Sequence, residues 1–140
     1  MDVAVHLTKL LRSALSQYGA SLTVDEDWIE VSGALAKPGR CIAVFVRDVC
    51  DFDVQFYLPE RKGSPFEQVI VGSLQEAEQV QARVLEFVTS IVEERLVLAW
   101  DSRLFQGGRQ FLTPSKARES RKHFSWVASW RGTYDVGHVP

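Results

Sequence analysis

The sequence is short of cysteine, and it lacks a long apolar run. No stretch reaches the roughly 18 consecutive apolar residues that a membrane-spanning helix needs. The opening MDVAVHLTKLL begins acidic and has no cationic region or small-residue cleavage site, so we expect no signal peptide. Two cysteines, Cys41 and Cys50, are too few for a disulfide framework. We expect both to be reduced and the chain to be cytoplasmic.

The common catalytic and ligand-binding motifs are also missing. There is no phosphate-binding Gly-rich loop followed by Lys-Ser/Thr, no dinucleotide fingerprint, no HExxH and no GxSxG. No Cys/His pair has zinc-ligand spacing. Three carboxylates, Asp48, Asp51 and Asp53, could hold a hard cation, but no Gly-containing calcium loop surrounds them and a solvated turn is favoured. We therefore lean against an enzyme and predict no metal and no cofactor.

The composition that remains is typical of one globular domain. The 140 residues are 46% hydrophobic and 24% charged, so we predict a single α+β domain over residues 1–140. Apolar residues at three- and four-residue spacing predict a helix over 3–18, with Asp2 as its cap and Gly19 after its end. Ser73 and Glu76 fit a capping box that opens a long amphipathic helix over 74–94.

Alternating or continuously apolar segments between and after these helices predict strands. They lie at 21–24 and 28–32 on either side of a polar turn, and then at 40–49, 52–58, 66–71, 96–100 and 124–131. Short turns such as Lys37-Pro38-Gly39 favour antiparallel pairing of neighbours. The predicted fold is an antiparallel sheet of about five to six strands, with an N-terminal helix and one long amphipathic helix packed on one face.

Charge is distributed unevenly along the chain. Residues 1–94 carry 8 Lys/Arg against 15 Asp/Glu, whereas residues 95–140 carry 8 against 3. Such a distribution is common when oppositely charged parts of one fold lie side by side, and this interpretation is favoured. The alternative is a basic face that binds a partner.

The segment 103–134 interleaves basic and aromatic residues. Trp and Arg are frequent at protein–protein hot spots, and the same combination binds single-stranded nucleic acid through phosphate pairing and base stacking. An equally weighted interpretation is that the rings complete the core. If the segment is a binding surface, its candidate residues are Arg103, Arg109, Trp126, Trp130, Arg131 and Tyr134.

These observations leave three hypotheses about function. The first is a non-enzymatic protein-binding domain; in its general outline the chain resembles many small bacterial immunity or accessory proteins, which implies neutralising or escorting a partner. The second is nucleic-acid binding through segment 103–134, which the net charge of -2 disfavours. The third is a small-molecule binder or enzyme with a site near Asp101 and Arg103, which follow a buried strand.

Overall fold

The computed structural model describes residues 2–60, 65–101, 108–119 and 124–137. The helices are α1 (Val3–Leu15), α2 (Ala77–Val92) and α3 (Pro114–Glu119). The strands are β1 (Ala20–Asp25), β2 (Trp28–Gly33), β3 (Cys41–Asp48), β4 (Asp51–Tyr57), β5 (Phe66–Val71), β6 (Val97–Asp101), β7 (Gly108–Leu112) and β8 (Trp126–Ala128). Short 3-10 helical turns end the first helix at Ser16–Tyr18 and precede the second at Leu74–Glu76.

The first five strands form one antiparallel sheet in the order β1-β2-β3-β4-β5. Each strand pairs with the next along the chain because its connection is short, as the sequence predicts. The turn before β3 is closed by a hydrogen bond from Arg40 N to Lys37 O at 3.0 Å. Gly39 has φ +86°, and a Cβ there would lie 2.8 Å from the ring of Pro59. Glycine is therefore required at that turn.

Both predicted helices form, and their caps explain where they begin. Asp2 Oδ1 accepts a hydrogen bond from Ala4 N at 2.9 Å at the start of α1, and Gly19 follows the first helix in the left-handed conformation. The capping box of Ser73 and Glu76 is present. The two helices pack on one face of the five-stranded sheet, and their apolar residues join its inner residues in one core. The predicted α+β arrangement is confirmed.

A second sheet of three strands, in the order β7-β6-β8, was not predicted. The sequence suggested that β6 belongs with the preceding strands. It pairs instead with β7 and β8 on its two sides, which leaves it no free edge for the first sheet. Its Trp100 stacks on Trp126 of β8, with centroids 6.0 Å apart, and both rings meet Phe66 of β5. The second sheet thus closes one end of the same core.

The segment after β8 is tied back to the start of β3 by a buried charge pair. The guanidinium of Arg40, almost inaccessible to solvent, binds Asp135 at 2.8 and 2.9 Å and also donates to Ser129 O. Burial alone would raise the pKa of Asp135, but hydrogen bonds from Arg40, from the backbone N of Ser129 and from Lys37 outweigh it and hold that pKa below its ordinary value. This pairing fixes the C-terminal segment against the turn before β3.

Within the described ranges, no helix is long and apolar enough to cross a membrane. Cys41 and Cys50 are free thiols.

Candidate functional site on the outer face of the first sheet

The two tryptophans of segment 103–134 lie in the core. Trp126 and Trp130 are 1% and 0% exposed. The indole N–H of Trp130 donates to Ala34 O at 2.9 Å, and its ring contacts that of Phe56. Neither side chain can contact a partner in this conformation. Both tryptophans therefore pack in the core and do not form a binding surface.

The other described candidates of that segment contact different parts of the fold. Arg109 is exposed on β7, with its guanidinium carbon 6.0 Å from the ring centroid of Phe66. Arg131 is exposed and lies over Tyr18 at 5.5 Å. Tyr134 is half-buried against a small satellite cluster, and Arg103 lies outside the described residues. The structure does not gather these side chains into one surface.

Nucleic-acid binding would need exposed rings in segment 103–134, and a small-molecule site would need a pocket near Asp101. The described rings of segment 103–134 are buried or half-buried; Phe111, for example, packs against Phe56 and Phe87. Base stacking needs an open ring face. Asp101 is 7% exposed at the end of β6. A depression of about 420 Å³ between β5 and α2 is within the roughly 300–1,000 Å³ typical of ligand sites, but Asp101 is not among its lining residues.

The acidic side of α2 is largely paired within the fold. Arg95 binds Glu86 at 2.7 Å and Glu93 at 2.9 Å, and Tyr18 donates to Glu93 at 2.5 Å. The hydrogen bond from Tyr18 and those from Arg95 lower the pKa of Glu93. Glu94 accepts from the backbone N of Arg131 at 3.1 Å. The acidic residues near the end of α2 therefore do contact basic residues from the later part of the chain, and Arg95 makes most of these ion pairs.

The outer face of the first sheet is the side opposite the helices, formed by the odd-numbered residues of β1, β3, β4 and β5 and the even-numbered residues of β2. It exposes apolar side chains: Phe45 is 39% exposed, Val69 46% and Val71 54%. The Trp28 ring meets Phe45 edge-on, with centroids 4.5 Å apart, and lies 6.4 Å from Tyr57. Three of the exposed large apolar side chains among the described residues thus lie on this face, with Trp28 and Tyr57 half-buried beside Phe45.

The same face is acidic. Between residues 20 and 60 the chain has eight Asp/Glu and three Lys/Arg, and one of the three bases, Arg40, is buried with Asp135. Asp25 and Glu30 lie on the outer face with Asp51, Asp53 and Glu67. The remaining acids of the β1–β2 turn, Glu26 and Asp27, adjoin it. Its electrostatic potential is therefore negative.

Asp53 occupies the centre of this face and is only 2% exposed. Its Oδ2 accepts long hydrogen bonds from Arg47 and Gln55, both at 3.3 Å. Its Oδ1 is buried and accepts no hydrogen bond from any residue in the described ranges. A buried carboxylate oxygen without a donor is costly. Arg47 and Gln55 cover this carboxylate, so a partner's donor reaches it only when the half-exposed Arg47 side chain moves aside.

Glu67 of β5 lies against Asp53. Hydrogen-bond contact with Asp53 and the negative charge of that residue raise the pKa of Glu67, while Arg109 and Arg47 oppose the change. The register of β4 and β5 places the two residues diagonally on one face, where their negative charges repel and a cation between them would offset that repulsion. The arrangement is a carboxyl pair, one member buried and one exposed.

A depression of about 420 Å³ is lined by Asp53, the buried member of this pair, and not by Glu67. Its lining residues come from the β1–β2 turn and from β3 and β4: Asp27, Phe45, Val46, Arg47, Asp53 and Gln55. No group of three or more His, Cys, Asp or Glu within the described ranges could hold a metal ion. The depression offers an aromatic ring, carboxylates and one half-exposed cation, which suits a positively charged organic group better than a bare ion.

Sequence analysis missed this face, although part of its signal was present. Strand alternation placed Asp53, Gln55 and Tyr57 together on one side of β4. The alternation predicts a solvent-exposed Asp53, however, because it indicates the face on which a side chain lies but not the neighbouring side chains that cover it. Arg47 and Glu67, on the adjacent strands, supply that cover. A count of acids over 20–60 is the signal that could have found the surface.

Comparison with known proteins gives no match, either to a family model, to a curated protein or to a solved structure.

Proposed function

We propose that this chain is a non-enzymatic protein-binding domain and that the outer face of its first sheet is the binding surface. The observation that carries the proposal is the exposure of Phe45, which contacts Trp28, and of Val69 and Val71 on the far side of β4, all on a face that the helices do not cover. Exposed apolar side chains grouped on one face among polar residues are typical of protein interaction sites. In such a site the aromatic rings act as anchors and the surrounding polar groups exclude water.

The acidic rim gives the proposed partner a charge. Negative potential steers association with a basic surface and disfavours an acidic one. A second copy of this chain would present the same acidic face, so like charges oppose self-association through it. The partner that fits is a different protein with a basic surface. Neutralisation or escort of such a partner in the cytoplasm, as by a bacterial immunity or accessory protein, is the more specific form of the proposal.

Affinity capture from the native host with matched variants tests this function. Phe45→Ala removes an exposed ring from the outer face, and Leu74→Ala removes an exposed apolar side chain, 72% exposed, at the start of the second helix. We expect the wild type and Leu74→Ala to retain one basic protein that Phe45→Ala loses, with all three equally folded by circular dichroism. Equal capture by the two variants, or no specific capture by the wild type, would contradict the proposal.

A further inference from the structure

The carboxyl pair in the outer face points to the chemistry of the group that binds there. Asp53 is buried, yet its Oδ1 accepts no hydrogen bond from the described residues, and Glu67 lies against it with a second carboxyl group. A cationic donor on Asp53 would offset the mutual repulsion of the two carboxyl groups.

The neighbouring side chains select among cationic donors. Phe45 is exposed at the wall of the depression that Asp53 also lines, and an aromatic ring beside carboxylates favours a planar cation. Guanidinium is planar, presents several N–H groups in a fixed fork, and stacks on aromatic rings, whereas ammonium is a compact, strongly hydrated point charge. Arg47 of the chain itself already reaches Asp53 Oδ2 at 3.3 Å with a side chain that is 52% exposed, so the site accepts a guanidinium.

We propose that the partner inserts an arginine side chain into the depression, where its guanidinium takes the place of Arg47 on the carboxyl group of Asp53 beside the ring of Phe45, while Glu67 on the neighbouring strand adds negative charge. The inference rests on the proposed function and names the group that the outer face recognises. The polar contact is central and the apolar side chains surround it, as in interfaces whose anchor is a charged residue held in a desolvated pocket.

Arg47 competes for the same carboxylate. Its guanidinium contacts Asp53 at 3.3 Å and Asp51 at 3.8 Å, both long for an ion pair, and half of its side chain is in solvent. Arg47→Gln removes this competitor and leaves Asp53 free for an incoming arginine. The variant should therefore bind arginine more tightly, a change opposite in sign to the effect of removing Asp53.

The test uses a defined probe, N-acetyl-arginine-N-methylamide, with the citrulline analogue as its uncharged match and the lysine analogue as a second cation. Binding is followed by two-dimensional ¹H–¹⁵N NMR of the full chain at low salt. We expect arginine to shift amides around Asp53, Glu67 and Phe45 in a saturable way, and citrulline not to do so. Asp53→Asn should weaken binding about tenfold, and Arg47→Gln should strengthen it severalfold.

Asp25→Asn is the matched control, because it removes one negative charge from the same face three strands away from Asp53. It should change affinity less than about twofold, since the site needs a particular carboxylate and not only net charge. Asp53→Asn is nearly isosteric, and its own NMR spectrum verifies that it folds. The assignment to arginine would be overturned if Asp53→Asn and Asp25→Asn weakened binding equally. It would also be overturned if the citrulline or the lysine analogue bound as tightly as the arginine analogue.

The two proposals fail in different ways. A partner that is lost with Phe45→Ala, but retained with Asp53→Asn while the arginine probe does not bind, overturns the arginine inference and supports protein binding. Saturable arginine binding in a chain that captures no protein through Phe45 overturns protein binding, and with it the claim that a partner supplies the arginine.

Discussion

Among the individual residues, Asp53 and Glu67 place two like charges near each other on the outer face. Each is a carboxyl group on the same sheet face, and the contact with Asp53 raises the pKa of Glu67. A raised folded-state pKa means that the folded protein holds the proton more tightly than the unfolded chain does. The contact therefore costs stability progressively as the pH rises from the unfolded value through the folded one.

Replacing either carboxyl group should show this cost. In Asp53→Asn, we expect the pKa of Glu67 to fall towards its ordinary value, because its main perturbing group is gone; ¹³C NMR titration of the Glu67 carboxyl carbon measures this directly. In Glu67→Gln, stability relative to the wild type should be higher at pH 7 than at pH 4, measured by urea unfolding. Asp25→Asn is again the control. A Glu67 titration that is the same in wild type and Asp53→Asn would contradict the contact.

Among the secondary-structure elements, β8 and the residues just after it join the two sheets. Trp130 follows β8 and donates its indole N–H to Ala34 O. Its backbone carbonyl oxygen accepts a hydrogen bond from Lys37 N at 2.8 Å. The indole N–H and the backbone carbonyl thus hold the C-terminal segment against the connection between β2 and β3, and the ring packs on Phe56 of β4. This is a packing role, and it makes a measurable prediction.

Trp130→Ala should lower the free energy of unfolding by about 3–5 kcal/mol, the range for removing a buried aromatic side chain. Arg131→Ala, one residue later, should change it by less than about 0.5 kcal/mol because Arg131 is exposed. Urea unfolding followed by circular dichroism measures both. If Trp130→Ala left stability unchanged, the indole would not be the core element that its burial indicates.

The elements also separate what sequence can predict from what it cannot. The stripe of α1, the capping box before α2 and the turn at Lys37-Pro38-Gly39 are local signals, and each specifies its structure without reference to distant residues. The second sheet depends on pairing between Leu98 and Ala128 and between Trp100 and Trp126, which lie some 26 to 30 residues apart. Alternation in 124–131 favours a strand but does not name its partner, so the burial of Trp126 could not be predicted.

The whole molecule has two sides of different character. One side of the first sheet is closed by α1 and α2 and, at one end, by the second sheet. The acidic side of α2 finds its counter-charge in Arg95. The other side, the outer face, keeps exposed apolar side chains within an acidic rim. The charge asymmetry of the sequence is therefore partly satisfied within the fold, and its acidic remainder is concentrated on the face that we propose to bind.

The most direct test of that proposal is site-specific photo-crosslinking in cells of the native host. The photoreactive residue p-benzoylphenylalanine is placed at Phe45 on the outer face or, as a control, at Leu74, and adducts are identified by mass spectrometry. We predict that position 45 gives one discrete adduct with a basic protein and that position 74 gives none. Adducts from position 74 with none from position 45 would contradict the claim that the outer face is the binding surface.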